Sequence, residues 1–270
     1  RNTPLTMALV AHPGIATTPV LDERSAAFFA LGIAKRTGLP VLALCTSGSA
    51  GAHYLPAIIE AKESGAPLLV VTADRPPELR DCASGQTIDQ QKLFGGYADF
   101  YHELAVPEPR LELLKYMRQT LRHAFERAAQ GGVAHLNAPF RDPLPPIEDG
   151  SARGLAGAVD WEAFFALPPV EVGHGFQLHE ASTLEAAEQG VIVLGSGAPE
   201  GWETLARATG WPVLADALSG ARLRAPEGVA VLAAYDAILR DAGAAARLRP
   251  RRAVIFGDVP ASKVLRAWLT

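Results

Sequence analysis

Cysteine is scarce in this sequence, because the 270 residues include only two, Cys45 and Cys82. They lie far apart, and neither belongs to a Cys-x-x-Cys pair or to a cluster of cysteine and histidine. This distribution excludes a disulfide-rich secreted scaffold and a zinc site built on cysteine pairs. Two unpaired thiols are typical of a reducing compartment, and we therefore predict a cytoplasmic protein.

Long apolar runs and an excess of basic charge are also missing. No apolar stretch approaches the roughly 20 residues that span a bilayer, and the N-terminus lacks a basic segment followed by an apolar one. The net charge is -4 and the pI is about 6.0, so the sequence gives no basic surface for nucleic-acid phosphates. We predict that the protein binds neither membranes nor nucleic acids.

Short apolar segments alternate with helical ones in the first 140 residues or so, which is typical of βαβ units and predicts an α/β fold with a parallel sheet. The predicted strands are Thr17–Leu21, Val41–Cys45, Leu68–Thr72 and Val133–Leu136. The second of them is wholly apolar, which predicts burial on both faces. The predicted helices are Glu23–Arg36, one that contains Tyr54 and Ile59, and one with the apolar stripe Leu114, Met117, Leu121, Phe125 and Ala128.

A proline-rich segment, Pro139–Pro146, separates this part from a second one. We assign residues 139–184 to a linker and an irregular segment, with helices predicted near Trp161 and over Ser182–Gln189. Residues 185–270 are predicted to form another α/β unit with strands Val191–Gly195, Pro212–Leu214 and Ala253–Gly257, and with helices Trp202–Ala208 and Tyr235–Asp241. Since the sequence starts inside a loop at Arg1 and stops on a predicted helix at Thr270, we expect it to be a fragment.

Each of the first three predicted strands ends in a polar turn. These turns are Asp22-Glu23, Thr46-Ser47-Gly48-Ser49 and Asp74-Arg75. Ligands of open parallel sheets bind beyond the carboxyl ends of the strands. The sequence therefore predicts a binding site at this edge of the first sheet.

Each turn also has a purely structural interpretation. Asp22 is predicted to cap the following helix, and Glu23 in its first turn could simply complement the helix dipole. The turn Thr46–Ser49 could hold an anion or a polar ring, or it could be an ordinary N-cap turn. Arg75 could clamp a carboxylate, or its side chain could pair with a neighbouring acidic residue, Asp74 or Glu78.

Four motifs occur together in a fixed order. They are Leu21-Asp22-Glu23-Arg24, Cys45-Thr46-Ser47-Gly48-Ser49-Ala50, Tyr54-Leu55-Pro56-Ala57-Ile58-Ile59-Glu60-Ala61 and the stretch from Thr72 to Cys82 that contains Asp74-Arg75-Pro76-Pro77. Together they closely resemble the thiamine-diphosphate-dependent synthases of menaquinone biosynthesis, and the opening segment Arg1–Thr6 is similar to a loop of that family. The resemblance is dense to about residue 140, and it continues weakly through Gly210–Asp216.

The resemblance implies a pyrimidine-binding (PYR) domain with a parallel sheet over residues 1–138 and a partial α/β central domain over residues 185–270. It implies that Glu23 is the catalytic glutamate, which hydrogen-bonds N1′ of the aminopyrimidine ring of thiamine diphosphate. A carboxyl group suits this role because it can share a proton with a weakly basic ring nitrogen.

The resemblance also assigns binding residues, with changes from the usual family pattern at Gly85 and Asp89. Glu23, Ser47, Gly48 and Ser49 are implied to bind the cofactor. Arg1, Arg75 and Gln86 fall on positions that hold carboxylates or hydroxyls of the substrates. The implied reaction decarboxylates 2-oxoglutarate and adds the succinyl unit to isochorismate.

The family holds Mg²⁺ and the diphosphate on a Gly-Asp-Gly loop that is followed by an asparagine. This sequence has two asparagines, Asn2 and Asn137, and its one Gly-Asp pair, Gly257-Asp258, has no asparagine after it. We therefore predict that the chain holds no metal ligand and is inactive alone. We also predict a homodimer or homotetramer with the active site between subunits. A second interpretation is a non-catalytic, PYR-like dimerisation or regulatory module.

Other patterns have ordinary structural interpretations. Gly195-Ser196-Gly197 follows a predicted strand but lacks the full dinucleotide-binding spacing. The histidines His12, His53, His102 and His135 do not have the spacing of metal ligands. The basic residues Lys115, Arg118, Arg122 and Arg127 are predicted to form a solvated helix face.

Overall fold

The structure is a computed structural model that describes residues 1–157, 159–170, 172 and 189–270. The chain divides into two units, Arg1–Gln177 and Leu178–Thr270. Each unit contains a four-stranded parallel sheet with helices between its strands. The predicted α/β fold with parallel sheets is confirmed.

The sheet of the first unit has the strand order β1-β2-β4-β3. Its strands are β1 (Val41–Cys45), β2 (Leu68–Asp74), β3 (Phe100–Glu103) and β4 (Val133–Pro139). The helices of this unit are α1 (Thr3–Ala11), α2 (Glu23–Thr37), α3 (Leu55–Glu63), α4 (Leu111–Ala129), α5 (Arg153–Ala156) and α6 (Trp161–Phe165), and short 3₁₀ helices lie at Gly48–Tyr54, Pro77–Leu79 and Gly95–Tyr97.

Two hydrophobic cores cover the two faces of this sheet. Successive residues of a strand point to opposite faces, and Val70 and Val71 of β2 accordingly belong to different cores. Helices α2 and α3 pack on the face of Val70, and α4 packs on the face of Val71 through Ala124 and Ala128. The buried apolar run of β2 is therefore explained by helices on both sides.

The predicted first strand, Thr17–Leu21, is wrong. These residues form no strand, and all of them are exposed. Pro19 removes a backbone N–H from the middle of the segment, which weakens any pairing with a neighbouring strand. Consequently β1 is an edge strand, and its predicted burial on both faces is only partly correct, because Leu42 is 38% exposed whereas Leu44 packs on the core of the same face.

Helix α2 begins and ends where its sequence predicts. Asp22 adopts an extended conformation and its Oδ1 accepts a hydrogen bond from the Ser25 N–H at 2.8 Å, which is an N-cap. Gly38 has φ +70° and donates to the carbonyl of Ala34, which closes the last turn. The buried residues of this helix are Ala27, Ala30, Leu31 and Ala34.

Helix α4 forms as predicted, but two of its basic residues are half-buried and bonded to other parts of the protein. Arg118 donates to the carbonyl of Phe164, and its guanidinium lies 4.3 Å from the centre of the Phe164 ring. Arg122 donates to the carbonyl of Pro168 at 2.7 Å and to Glu126. The predicted solvated face is therefore wrong at both positions, because the segment around α6 packs on this helix and supplies carbonyl acceptors. Lys115 and Arg127 are exposed.

The predicted apolar stripe of α4 is only partly correct. The residues that this helix buries are Thr120, Ala124, Ala128 and Ala129. Leu121, which the spacing assigns to the core, is 37% exposed. Small residues therefore allow the helix to approach the sheet closely, and larger ones lie beside the contact.

The sheet of the second unit has the order β7-β6-β5-β8. Its strands are β5 (Gly190–Leu194), β6 (Val213–Ala215), β7 (Val231–Leu232) and β8 (Arg252–Phe256), and its helices are α7 (Trp202–Thr209), α8 (Tyr235–Leu239), α9 (Ala242–Arg247) and α10 (Lys263–Leu269). The three predicted strands and two predicted helices form here, whereas β7 and α9 were not predicted. The helix predicted over Ser182–Gln189 lies, apart from its last residue, outside the described residues.

Close packing explains the glycine after β5. A Cβ atom on Gly195 would lie 1.7 Å from the carbonyl oxygen of Asp258, so any side chain would separate the two loops. Among the described residues, no helix has both the length and the apolar character needed to cross a membrane.

Replacing Asp22 with alanine removes the side-chain acceptor at the start of α2. We expect the free energy of unfolding to fall by about 1 kcal/mol, because the Ser25 N–H loses its partner. Urea denaturation measures this change, and Asp22→Asn, which keeps an acceptor oxygen, is the matched control. Equal losses in the two variants would show that the cap does not stabilise the helix.

Candidate functional site

One row of residues runs in register across all four strands of the first unit. Cys45 on β1 pairs with Thr72 on β2, Thr72 pairs with Asn137 on β4, and Asn137 pairs with Glu103 on β3. The row lies at or near the carboxyl end of each strand. The turns that follow Cys45 and Thr72 are therefore brought to the same edge of the sheet, as the sequence predicts.

Arg75 and Gln86 meet at the turn that follows β1. The Arg75 guanidinium donates to Ser47 Oγ at 2.5 Å and to the carbonyl oxygen of Gln86 at 2.6 Å. The Gln86 amide donates in return to the carbonyl oxygen of Ser47 at 3.1 Å. Three of the residues singled out from the sequence therefore form one cluster of hydrogen bonds.

The Arg75 side chain has no carboxylate partner in the described part of the chain. Both acidic candidates are engaged elsewhere, since Asp74 pairs with Arg80 at 2.9 Å and Glu78 pairs with Arg141. Asp74 contacts Arg75 only through the backbone N–H, at 2.7 Å. The interpretation of Arg75 as a partner of Asp74 or Glu78 is therefore wrong. A half-buried positive charge is held by two neutral oxygens and remains available to an anion.

The turn after β1 is more than a helix cap. Ser47 occupies the N-cap position of the 3₁₀ helix Gly48–Tyr54, but its hydroxyl makes no capping bond and accepts from Arg75 instead. Gly48 has φ +84°, a conformation that favours glycine, and a Cβ there would lie 3.0 Å from Gln86 Cγ. The N–H of Gly48 is already used by Gln90, whereas the side chain of Ser49 is exposed.

Arg1 lies beside the same turn, and its side chain is bonded to residues that follow β4. Its backbone nitrogen donates to Thr46 Oγ1 at 3.1 Å. Its guanidinium donates to the carbonyl of Phe140 at 3.2 Å and forms an ion pair with Asp142 at 3.0 Å. The structure therefore brings Arg1 to the site edge with its charge already paired.

Glu23 lies in the first turn of α2, near the buried side chains of Cys45 and Tyr54. Its side chain is half-buried, and within the described residues it makes no hydrogen bond or ion pair. Burial, and to a lesser extent the nearby Glu23 carboxylate, raises the pKa of the Cys45 thiol to about 12. Burial chiefly, with Cys45 and Glu23, also raises the pKa of Tyr54. Both neighbours thus stay protonated near neutral pH. Of these three side chains, only Glu23 carries a carboxyl group.

A buried polar network lies beneath the edge, and sequence reasoning missed it. Asn137 accepts from Thr72 at 2.9 Å and from Gln90 at 3.0 Å, and it donates to Asp74 at 2.9 Å and to Glu103 at 3.2 Å. All of its hydrogen-bonding capacity is thus used. The available signal was an asparagine inside the apolar segment of β4, because a buried polar side chain requires partners.

His135 is the buried titratable end of this network. The Thr72 hydroxyl donates to Asn137, so it must accept from His135 Nε2, 2.8 Å away. This assigns the neutral tautomer with a proton on Nε2, and His135 Nδ1 has no partner among the described residues. The rings of Phe94 and Tyr101 pack against the imidazole, and burial lowers the pKa of His135 to about 3.

This depressed pKa predicts a loss of stability in acid. The unfolded histidine has an ordinary pKa of about 6.5, so between pH 6.5 and pH 3 the unfolded state binds the extra proton. The stability that the protein gains from keeping His135 neutral is complete above pH 6.5 and is lost as the pH falls. We expect the free energy of unfolding to drop by about 2–3 kcal/mol from pH 7 to pH 4.5.

Urea denaturation at several pH values tests this expectation. The control is His135→Gln, which cannot titrate in this range and should show a flatter profile between pH 7 and pH 4.5, whatever its stability at neutral pH. Parallel profiles for the two proteins would show that His135 is not the responsible group.

Within the described ranges, no group of three or more histidine, cysteine, aspartate and glutamate side chains is arranged to hold a metal ion. Both cysteines are free, Cys45 in the core and Cys82 on the surface.

Comparison with known families gives a match at the N-terminal part of the chain. Residues 1–93 match the family described as thiamine pyrophosphate enzyme, N-terminal TPP binding domain. The matched region contains β1, β2 and the turn that carries Ser47, together with Glu23 and Arg75.

Curated relatives match the whole chain. Proteins named 2-succinyl-5-enolpyruvyl-6-hydroxy-3-cyclohexene-1-carboxylate synthase are 47% identical in Acaryochloris marina, 46% in a Nostoc strain and 44% in Microcystis aeruginosa. Each alignment covers 100% of this chain and 48–49% of the relative. The chain therefore spans about half the length of the curated relatives that it matches.

Proposed function

This chain belongs to the family of thiamine pyrophosphate enzymes named 2-succinyl-5-enolpyruvyl-6-hydroxy-3-cyclohexene-1-carboxylate synthase, and on that premise we propose an activity for the complete protein. The complete protein decarboxylates 2-oxoglutarate and adds the resulting succinyl unit to isochorismate, in menaquinone biosynthesis. This chain contributes the part of the active site that binds the pyrimidine ring of the cofactor and a carboxylate of a substrate.

The observation that carries this proposal is the state of Glu23. It lies in the first turn of α2, whose start is capped by Asp22, and its side chain has no hydrogen-bonding or ionic partner in the described chain. A half-buried carboxyl group that stays free is suited to receive a ligand.

The residues at the edge fit the pyrimidine ring of thiamine diphosphate. Glu23 can share a proton with the ring nitrogen N1′, and the turn Ser47-Gly48-Ser49 offers the exposed side chain of Ser49. Thiamine diphosphate, when bound, supplies the thiazolium carbon at which 2-oxo acids lose carbon dioxide. The role of Glu23 is to hold and exchange the proton at N1′, and that of Gly48 is to give the turn its shape.

Substrate carboxylates are assigned to Arg75 because its guanidinium has no anionic partner in the described residues. Ser47 and the Gln86 carbonyl fix its orientation, so little rotational freedom is lost when a carboxylate binds. Gln86 acts beside it by holding the turn. Arg1 contributes a second positive charge at the same edge once it is released from Asp142.

Exposed apolar side chains around Glu23 support a homo-oligomer with the active site between subunits. Leu21 is fully exposed, and Phe28 and Phe29 of α2 are 44% and 50% exposed. Ile33 of the same helix is also exposed, at 38%. Apolar groups of this extent in a folded protein favour contact with another surface.

Mg²⁺ and the diphosphate are held by residues outside this chain. The two free thiols favour a cytoplasmic location.

Turnover of the complete protein tests the proposal. Wild-type protein with thiamine diphosphate and Mg²⁺ should consume 2-oxoglutarate in the presence of isochorismate. Glu23→Gln, which keeps the shape but cannot take the proton, should lower kcat by about 10²-fold or more. The matched control is Glu63→Gln, because Glu63 is an exposed glutamate of the same unit.

Two outcomes would contradict the proposal. An unchanged rate for Glu23→Gln would remove this residue from the mechanism. Failure of the wild-type protein to turn over either substrate would favour a non-catalytic dimerisation or regulatory module.

A further inference from the structure

We propose that Gln90 is a positioning residue for Arg75, which it never touches. The inference rests on the proposed function, in which Arg75 binds a substrate carboxylate. Gln90 lies in the loop between β2 and β3, is 1% exposed, and was not among the residues singled out from the sequence.

The Gln90 amide joins the turn after β1 to the two central strands of the sheet. Its Oε1 accepts from the Gly48 N–H at 2.7 Å. Its Nε2 donates to the carbonyl oxygen of Ala73 at 3.1 Å and to Asn137 Oδ1 at 3.0 Å. One side chain therefore anchors β1's turn to both β2 and β4.

The three partners require a glutamine. The Gly48 N–H needs an acceptor, whereas the oxygens of Ala73 and Asn137 need donors. A glutamate offers no donor when ionised, and an apolar side chain offers neither donor nor acceptor. Loss of the amide would remove the acceptor of the buried Gly48 N–H and one donor each to the Ala73 carbonyl oxygen and Asn137 Oδ1, which destabilises this arrangement of the turn.

The anchored turn is the one that orients Arg75. Gly48 follows Ser47, and the Ser47 hydroxyl is one of the two oxygens that hold the guanidinium. The second oxygen belongs to Gln86, whose side chain packs on Gly48 and donates to the Ser47 carbonyl. A shift of Gly48 would therefore move both oxygens, and the guanidinium with them.

The anchor itself is rigid. Asn137 is fully buried on β4 and holds Gln90 while it also binds Thr72, Asp74 and Glu103. Ala73 is a fully buried residue of β2. Gln90 thus fixes the position of the surface turn relative to the sheet. It does so from the buried side of the turn.

A double-mutant cycle in the complete synthase tests this proposal. The variants are Gln90→Leu, Arg75→Gln and their combination, and kcat and KM are measured for 2-oxoglutarate and isochorismate. Arg75→Gln identifies the substrate whose KM depends on Arg75. We expect Gln90→Leu to raise the same KM about tenfold with kcat changed by less than about twofold, because only the orientation of the guanidinium is lost.

Non-additivity is the decisive result. If Gln90 acts through Arg75, the double variant should have the KM of Arg75→Gln alone, since no guanidinium is left for Gln90 to position. The control for general loss of stability is Ile58→Val in the core of the same unit, which should lower the melting temperature and leave KM unchanged. Gln90→Met, whose unbranched chain fills the same space, replaces Gln90→Leu if that variant does not fold.

Independent effects of the two substitutions on KM, or a Gln90→Leu variant that behaves like Ile58→Val, would overturn the proposal while leaving the proposed function intact. An inactive wild-type synthase would instead overturn the proposed function, and this inference with it.

Discussion

The register of four parallel strands is the constraint on which the candidate site depends. Cys45, Thr72, Asn137 and Glu103 form one row, so the chain leaves the sheet at a common edge. Cys45 lies near Glu23, and the other three residues belong to the buried polar network. A shift of one residue in the register of any strand would turn its side chain in this row to the other face of the sheet, and the site would not form.

The site combines a saturated interior with unsatisfied charges at its surface. Below the edge, Asp74 receives hydrogen bonds from Arg80, Asn137 and the backbone of Arg75, so its buried charge is compensated. At the edge, the guanidinium of Arg75 and the carboxyl group of Glu23 lack ionic partners in the described chain. This contrast separates the groups that hold the fold from those that remain available for a ligand.

Local rules were sufficient for much of this structure. The start of α2 follows from Asp22 and its end from Gly38, and the short apolar runs of β2 and β4 were predicted as strands of a parallel sheet. The segment Thr17–Leu21 shows where local rules fail, since an apolar segment becomes a strand only when a partner strand accepts it. Whether Arg118 is solvated or Arg75 is paired depends on segments distant in sequence, which spacing along one helix or loop does not reveal. Gln90 went unpredicted for the same reason, because its three partners come from three different strands or their turns.

The central claim is that Glu23 is the group that meets the pyrimidine ring of the cofactor. A crystal structure of the complete protein with thiamine diphosphate and Mg²⁺ measures this directly. We expect a Glu23 carboxylate oxygen within hydrogen-bonding distance of N1′, with Arg75 still held by Ser47 at the same edge. A cofactor ring bound elsewhere, or a Glu23 side chain that pairs with another residue of the protein, would contradict it.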